Sequence, residues 1–116
     1  MDPAIAFRVP PHEEPVVEVR VNFGVYAGRN ATPAEIDDLA RLLRDEAKQF
    51  TVTVEERHEF GNDRETSLRQ VVIEVDRQSA GNDADALAKR MVDKANTWAS
   101  ACISSRTDLG ELGTSF

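Results

Sequence analysis

From Val16 to Val25 the chain alternates between apolar and polar positions. Val17, Val19, Val21, Phe23 and Val25 fall on every second residue, with Glu18, Arg20 and Asn22 between them. A repeat of two places the first set on one face of a β-strand and the second set on the other. The pattern predicts a long first strand that ends near Tyr26 and Ala27, with Gly24 able to host a bulge. Ahead of it, residues 4–9 alternate more briefly, with Ile5, Phe7 and Val9 on one side. Pro10, Pro11, His12, Glu13, Glu14 and Pro15 follow and cannot be helical. The arm formed by residues 1–15 can fold back as an edge strand beside residues 16–25 or reach onto a second subunit.

The period then changes. Gly28, Arg29, Asn30 and Ala31 connect to Thr32, Pro33 and Glu35, which supply an N-cap, a first-turn proline and the third member of a capping box. Ile36, Leu39, Ala40, Leu43, Ala47 and Phe50 recur at three- and four-residue steps and predict one apolar helix stripe reaching Phe50. Residues 51–60 return to a period of two, with Val52, Val54 and Phe60 on one face. The turn-rich stretch 61–65 joins them to a strand over 66–77, so a hairpin is expected. Asn82 and Asp83 open a second helix whose stripe is Ala84, Leu87, Ala88, Met91, Ala95, Trp98, Ala99 and Cys102. From Ser104 the chain turns polar and glycine-containing, and residues 104–116 read as a flexible tail.

This order, β-α-β-β-α, predicts an α+β two-layer sandwich over residues 16–103: one domain, with both helices on one face of a three-stranded, antiparallel-rich sheet. A β-α-β crossover followed by a hairpin returning beside the first strand gives the order 1-3-2, a ferredoxin-like unit without its usual last strand. Residues 4–9 can add an N-terminal edge strand. Such an architecture serves many unrelated functions and decides none of them.

Composition sharpens the picture on partners. Fourteen Lys and Arg stand against 21 Asp and Glu, a formal net charge of −7. Such a surface repels phosphate backbones and anionic lipid, so neither nucleic acid nor membrane is expected as a partner. No apolar run approaches the roughly 20 residues of a membrane span. The N-terminus has no basic, then apolar, leader pattern, so a cytoplasmic protein is expected. The single cysteine, Cys102, allows no disulfide within the chain.

Candidate chemistry is thin. Gly28, Arg29 and Asn30 precede a helix N-terminus, where free N–H groups can hold an anion; an ordinary strand-to-helix turn explains the same residues. Glu56 and His58 share a strand face, which suits a proton exchange or half a metal site, yet no second imidazole or thiol lies near them in sequence. Cys102 sits on an apolar stripe near a helix C-terminus and reads as a small core residue. No catalytic residue, metal ligand or cofactor is expected.

The sheet's outer face is more informative. It carries Val16, Glu18, Arg20, Asn22 and Tyr26 from the first strand and Thr51, Thr53, Glu55, Arg57, Leu68, Gln70, Val72 and Glu74 from the hairpin, a mixture too polar for a second core, though Val16, Tyr26, Leu68 and Val72 are more apolar than water requires. A face of this kind, with a free first-strand edge, is often buried by association. The expected function is therefore a non-catalytic protein-interaction or assembly module working through the sheet face or the first-strand edge. A homo-oligomer, first of all a dimer, is expected, with a further protein partner an open option. The alternative is a ligand-binding regulatory domain with a pocket between sheet and helices or at a dimer interface.

Overall fold

The computed structural model describes residues 5–61 and 64–113; for residues 57, 59, 64–68 and 105–113 it describes the backbone alone. The fold is α+β, with helices packed on a four-stranded antiparallel open sheet. In chain order it runs β1 (Ala6–Val9), β2 (Val17–Val21), α1 (Phe23–Ala27), α2 (Pro33–Leu43), β3 (Thr51–Gly61), β4 (Arg64–Val75), α3 (Arg77–Ala80) and α4 (Ala84–Gly113). The sheet order is β1-β2-β4-β3 and every neighbouring pair is antiparallel.

The alternation in β2 builds the core. Val17, Val19 and Val21 lie opposite Val75, Ile73 and Val71 of β4, and all six are buried. Leu39 and Leu43 from α2 and Leu87, Met91, Ala95 and Trp98 from α4 close over them. Each such aliphatic side chain contributes about 1.5–3 kcal/mol on leaving water.

Two ends of α2 and α4 follow from capping chemistry. Thr32 accepts a hydrogen bond from the Glu35 backbone N–H, and the Glu35 carboxylate accepts one from the Thr32 N–H at 2.9 Å, closing the expected capping box. Asp83 accepts from the Ala86 N–H at the start of α4.

Several expectations need correction. The first strand stops at Val21, and residues 23–27 form α1 instead. Phe23 and Ala27 are both buried at a four-residue spacing, Gly28 closes the turn with φ 73°, and Val25 is left 62% exposed. The alternation in V-x-F-x-V fitted a strand, but the pair that enters the core obeys helical spacing. Nor does β2 have a free edge: β1 of the same chain pairs with it, Ala6 opposite Val21 and Arg8 opposite Val19. Residues 6–9 thus add the edge strand that the sequence allowed, which makes the sheet four-stranded with β1 and β3 as its outer strands. Helix α2 ends at Leu43, after which a turn still delivers Ala47 and Phe50 to the core. Helix α4 runs on to Gly113, past the expected end at residue 103, through a stretch without proline.

The hairpin outruns the rest of the sheet. Only residues 71–75 of β4 pair with β2, so residues 64–70 are flanked by β3 alone. Helix α1 packs at the base of this ribbon. A Cβ added at Gly24 would stand 2.5 Å from the Arg69 Cβ and 3.1 Å from its carbonyl oxygen. Gly24→Ala is therefore expected to lower stability by about 1–3 kcal/mol, as overpacked cores do. Urea denaturation followed by circular dichroism measures it, and an unchanged midpoint would show that α1 does not rest on β4.

Candidate functional site

The outer face of the sheet carries one connected polar network. Arg20 lies in β2 opposite Val72 of β4 and Phe7 of β1. Its Nε donates to Glu18 at 2.6 Å, and one terminal nitrogen donates to both Glu55 at 3.0 Å and Gln70 at 2.9 Å. Gln70 in turn donates to the Asn22 side chain at 2.8 Å. Three strands, β2, β4 and β3, are thus tied together by side chains. Glu18 and Gln70 are buried, as polar groups can be when their hydrogen bonds are met. Burial opposes the Arg20 charge, but its hydrogen bonds to Glu18 and Glu55 outweigh that and hold the guanidinium above its ordinary pKa. His12 of the proline-rich connector stands 3.7 Å from Glu18.

Val72 is buried too, yet it does not belong to the main core cluster, because it lies on the opposite face among these side chains. Of the residues expected on the outer face, Glu18, Arg20 and Val72 do meet there. Val16 is buried and joins the main core instead. Tyr26 belongs to α1 and not to a strand of the sheet. Leu68 is in β4 opposite Arg57, and its side chain lies outside the described residues. Gln70, Glu55, Thr51, Thr53 and Glu74, with Phe7 and Val9 of β1, share the face. Gln70 and Glu55 were visible as outward positions of the hairpin, but their link to Arg20 depends on the cross-strand register.

The region of Gly28, Arg29 and Asn30 is already engaged by the chain's own acid. Arg29 donates to both carboxylate oxygens of Glu35, at 2.7 and 2.8 Å, and its guanidinium lies 5.4 Å from the Phe23 ring centroid. The Glu35 carbonyl accepts from the Trp98 indole at 2.8 Å. Arg29 above all, helped by the Thr32 N–H, overcomes the burial of Glu35 and pulls its carboxyl from 4.5 down to about 2. Nearby, burial first and Glu35 second push the Cys102 thiol up to about 12, which keeps it protonated and unreactive at neutral pH.

The Glu35 shift has a pH consequence. Between pH 4.5 and about 2 the unfolded chain binds a proton at Glu35 that the folded one refuses, so stability falls as pH drops through this window. Glu35→Gln is expected to flatten the acid limb of the stability curve there, measured by urea midpoints against pH. A variant whose acid limb matches that of the natural chain would contradict the Arg29–Glu35 pairing.

Glu56 and His58 stand 3.8 Å apart on a half-exposed strand face. Among the described residues no group of three or more His, Cys, Asp or Glu is placed to hold a metal ion. A groove of about 550 Å3 lies between α2 and α4, lined by Leu42, Trp98, Ala101 and Cys102 with Glu35, Asp38 and Arg41. No helix among the described residues is long and apolar enough to cross a membrane. In comparisons with known proteins, no family model, no curated protein and no solved structure matches the chain.

Proposed function

We propose that this protein is a small, non-catalytic assembly module of the cytoplasm that joins a protein partner, first of all a second copy of itself, through its β-sheet. The observation that supports this reading is the outer face, where Glu18, Arg20, Glu55 and Gln70 are ordered across three strands and surround a buried Val72. A face already held by its own hydrogen bonds loses little freedom when a partner covers it. We read β2, β4 and β3 with α2 and α4 as a ferredoxin-like unit that carries β1 as an added edge strand. The net charge of −7 favours a protein partner over nucleic acid or anionic lipid.

Hydrogen exchange at low micromolar and at submillimolar protein tests the reading. Amides of β3 and β4 are expected to gain protection with concentration while those of α2 do not. Exchange that is independent of concentration throughout would contradict it.

A second reading has one observation in its favour. The groove between α2 and α4 leaves Leu42 partly open beside Trp98, a setting that suits a small apolar ligand and a regulatory domain. It lies between two helices, not between sheet and helices. Quenching of Trp98, the only tryptophan, by a panel of small apolar compounds would favour it.

A further inference from the structure

Strand β1 comes first in the chain and lies at the edge of the sheet, on β2. Its antiparallel pairs run from Ala6 opposite Val21 to Val9 opposite Glu18. The Asn22 N–H donates to the Ile5 carbonyl at 2.8 Å, and the Ala6 N–H donates to the Asn96 side chain of α4 at 3.1 Å. Arg8 donates to the Val16 carbonyl at 3.1 Å and forms an ion pair with Asp85 at the start of α4. Ala6 is the only buried residue of the strand, and its side chain is a single methyl. Lifting β1 therefore leaves the packing of Val17, Val19 and Val21 on β4 in place, and an edge element with so little buried area opens readily.

Once β1 lifts, β2 shows an open edge, and the strand whose register and charges fit that edge is β1. Each contact named above joins residues 5–9 to residues beyond the connector 10–15. A second copy of the chain can supply every one of them, so exchanging β1 between copies alters the connector and leaves the rest unchanged.

The connector suits that exchange. In the closed chain it has to reverse direction, because β1 and β2 are antiparallel. It holds Pro10, Pro11 and Pro15, whose rings fix φ and favour an extended path. Extended at about 3.1 Å per residue, its six residues reach about 19 Å, enough to run from one molecule onto a neighbour. Residues 10–14 are exposed, so little burial holds the reversal in place. Stiffness favours the open connector, whereas the nearness of β1 to its own β2 favours the closed one. Protein concentration then sets the balance between them.

We propose that two copies of this chain exchange β1, each laying its strand on the other's β2. This rests on the reading above that the protein self-associates, and it names the element that joins the copies. His12 of the connector stands 3.7 Å from Glu18, so the two connectors cross beside the outer face and bring the two Arg20 networks close to each other.

A mixture of charge-reversed full chains, weighed by native mass spectrometry with one variant isotope-labelled, tests it. Arg8→Asp alone sets two carboxylates against each other, and Asp85→Arg alone sets two guanidinium groups together. In an exchanged heterodimer of the two variants both junctions regain an opposite-charge pair, whereas a closed chain regains none. The heterodimer is expected to exceed its statistical share by about tenfold. The double variant Arg8→Asp with Asp85→Arg is expected to keep the natural circular dichroism. If either single variant loses β-structure alone, mixing is expected to restore it, since exchange supplies the missing partner. A mixture that stays at the statistical share while the natural chain dimerises would overturn strand exchange and leave self-association standing. A natural chain that stays monomeric at submillimolar concentration would overturn both.

Discussion

Trp98→Ala is expected to remove about 3–5 kcal/mol of stability, the usual range for deleting a large buried aromatic side chain. The ring is 4% exposed and packs against Phe23 with centroids 5.3 Å apart. Its indole N–H also donates to the Glu35 carbonyl in the first turn of α2. One side chain therefore fastens α4 to both α1 and α2. Against the 5–15 kcal/mol that holds a typical domain together, the loss is enough to leave the variant partly unfolded near physiological temperature. Trp98→Phe separates the two contributions: it keeps most of the buried area and forfeits the hydrogen bond, which costs about 1 kcal/mol. Far-ultraviolet circular dichroism in urea is the suitable readout, since the substitution removes the only tryptophan. A loss below about 1 kcal/mol for Trp98→Ala would mean that α4 does not pack as described.

The second large effect is expected at Arg20. Arg20→Ala strips Glu18, a buried carboxylate, of its 2.6 Å partner and unfastens Glu55 and Gln70 as well. Removing one partner of a fully buried pair costs about 3–5 kcal/mol. The Arg20 side chain keeps about 20% of its surface open, so solvent reduces the cost to about 2–3 kcal/mol. The double variant Arg20→Ala with Glu18→Gln is expected to recover about half of that, because the stranded charge is gone. If the two substitutions simply add, Glu18 and Arg20 do not act as a pair. The same variants report on function: if the ordered face supports assembly, Arg20→Ala weakens self-association beyond its effect on folding.

The fold class was readable from the chain because each element states its own period. Thr32, Pro33 and Glu35 mark the start of α2, the stripe from Leu87 to Cys102 marks α4, and the alternation on either side of residues 61–65 marks the hairpin. The element ends were less readable. Phe23 and Val25 continue the alternation of β2, and only the burial of both Phe23, against Trp98, and Ala27 selects a helix there. Ala47 and Phe50 fit the α2 stripe, yet they reach the core from a turn.

The candidate site was half visible. Glu18, Arg20 and Val72 could be placed on one face from parity alone. Their connection to Glu55, Gln70 and Asn22 depends on how β2, β4 and β3 line up, which no local pattern states. The anion reading of Gly28, Arg29 and Asn30 rested on free N–H groups at a helix start, but Glu35 both caps that start and binds Arg29, so one carboxylate serves both. The open edge moved as well. With β1 laid on β2, the outer strands of the sheet are β1 and β3.

Sedimentation velocity of the natural chain from low micromolar to submillimolar concentration tests the central claim, that the sheet exists to be joined. The predicted result is a concentration-dependent shift from the 12.9 kDa chain to a species of twice that mass. A single 12.9 kDa species across the whole range would contradict it.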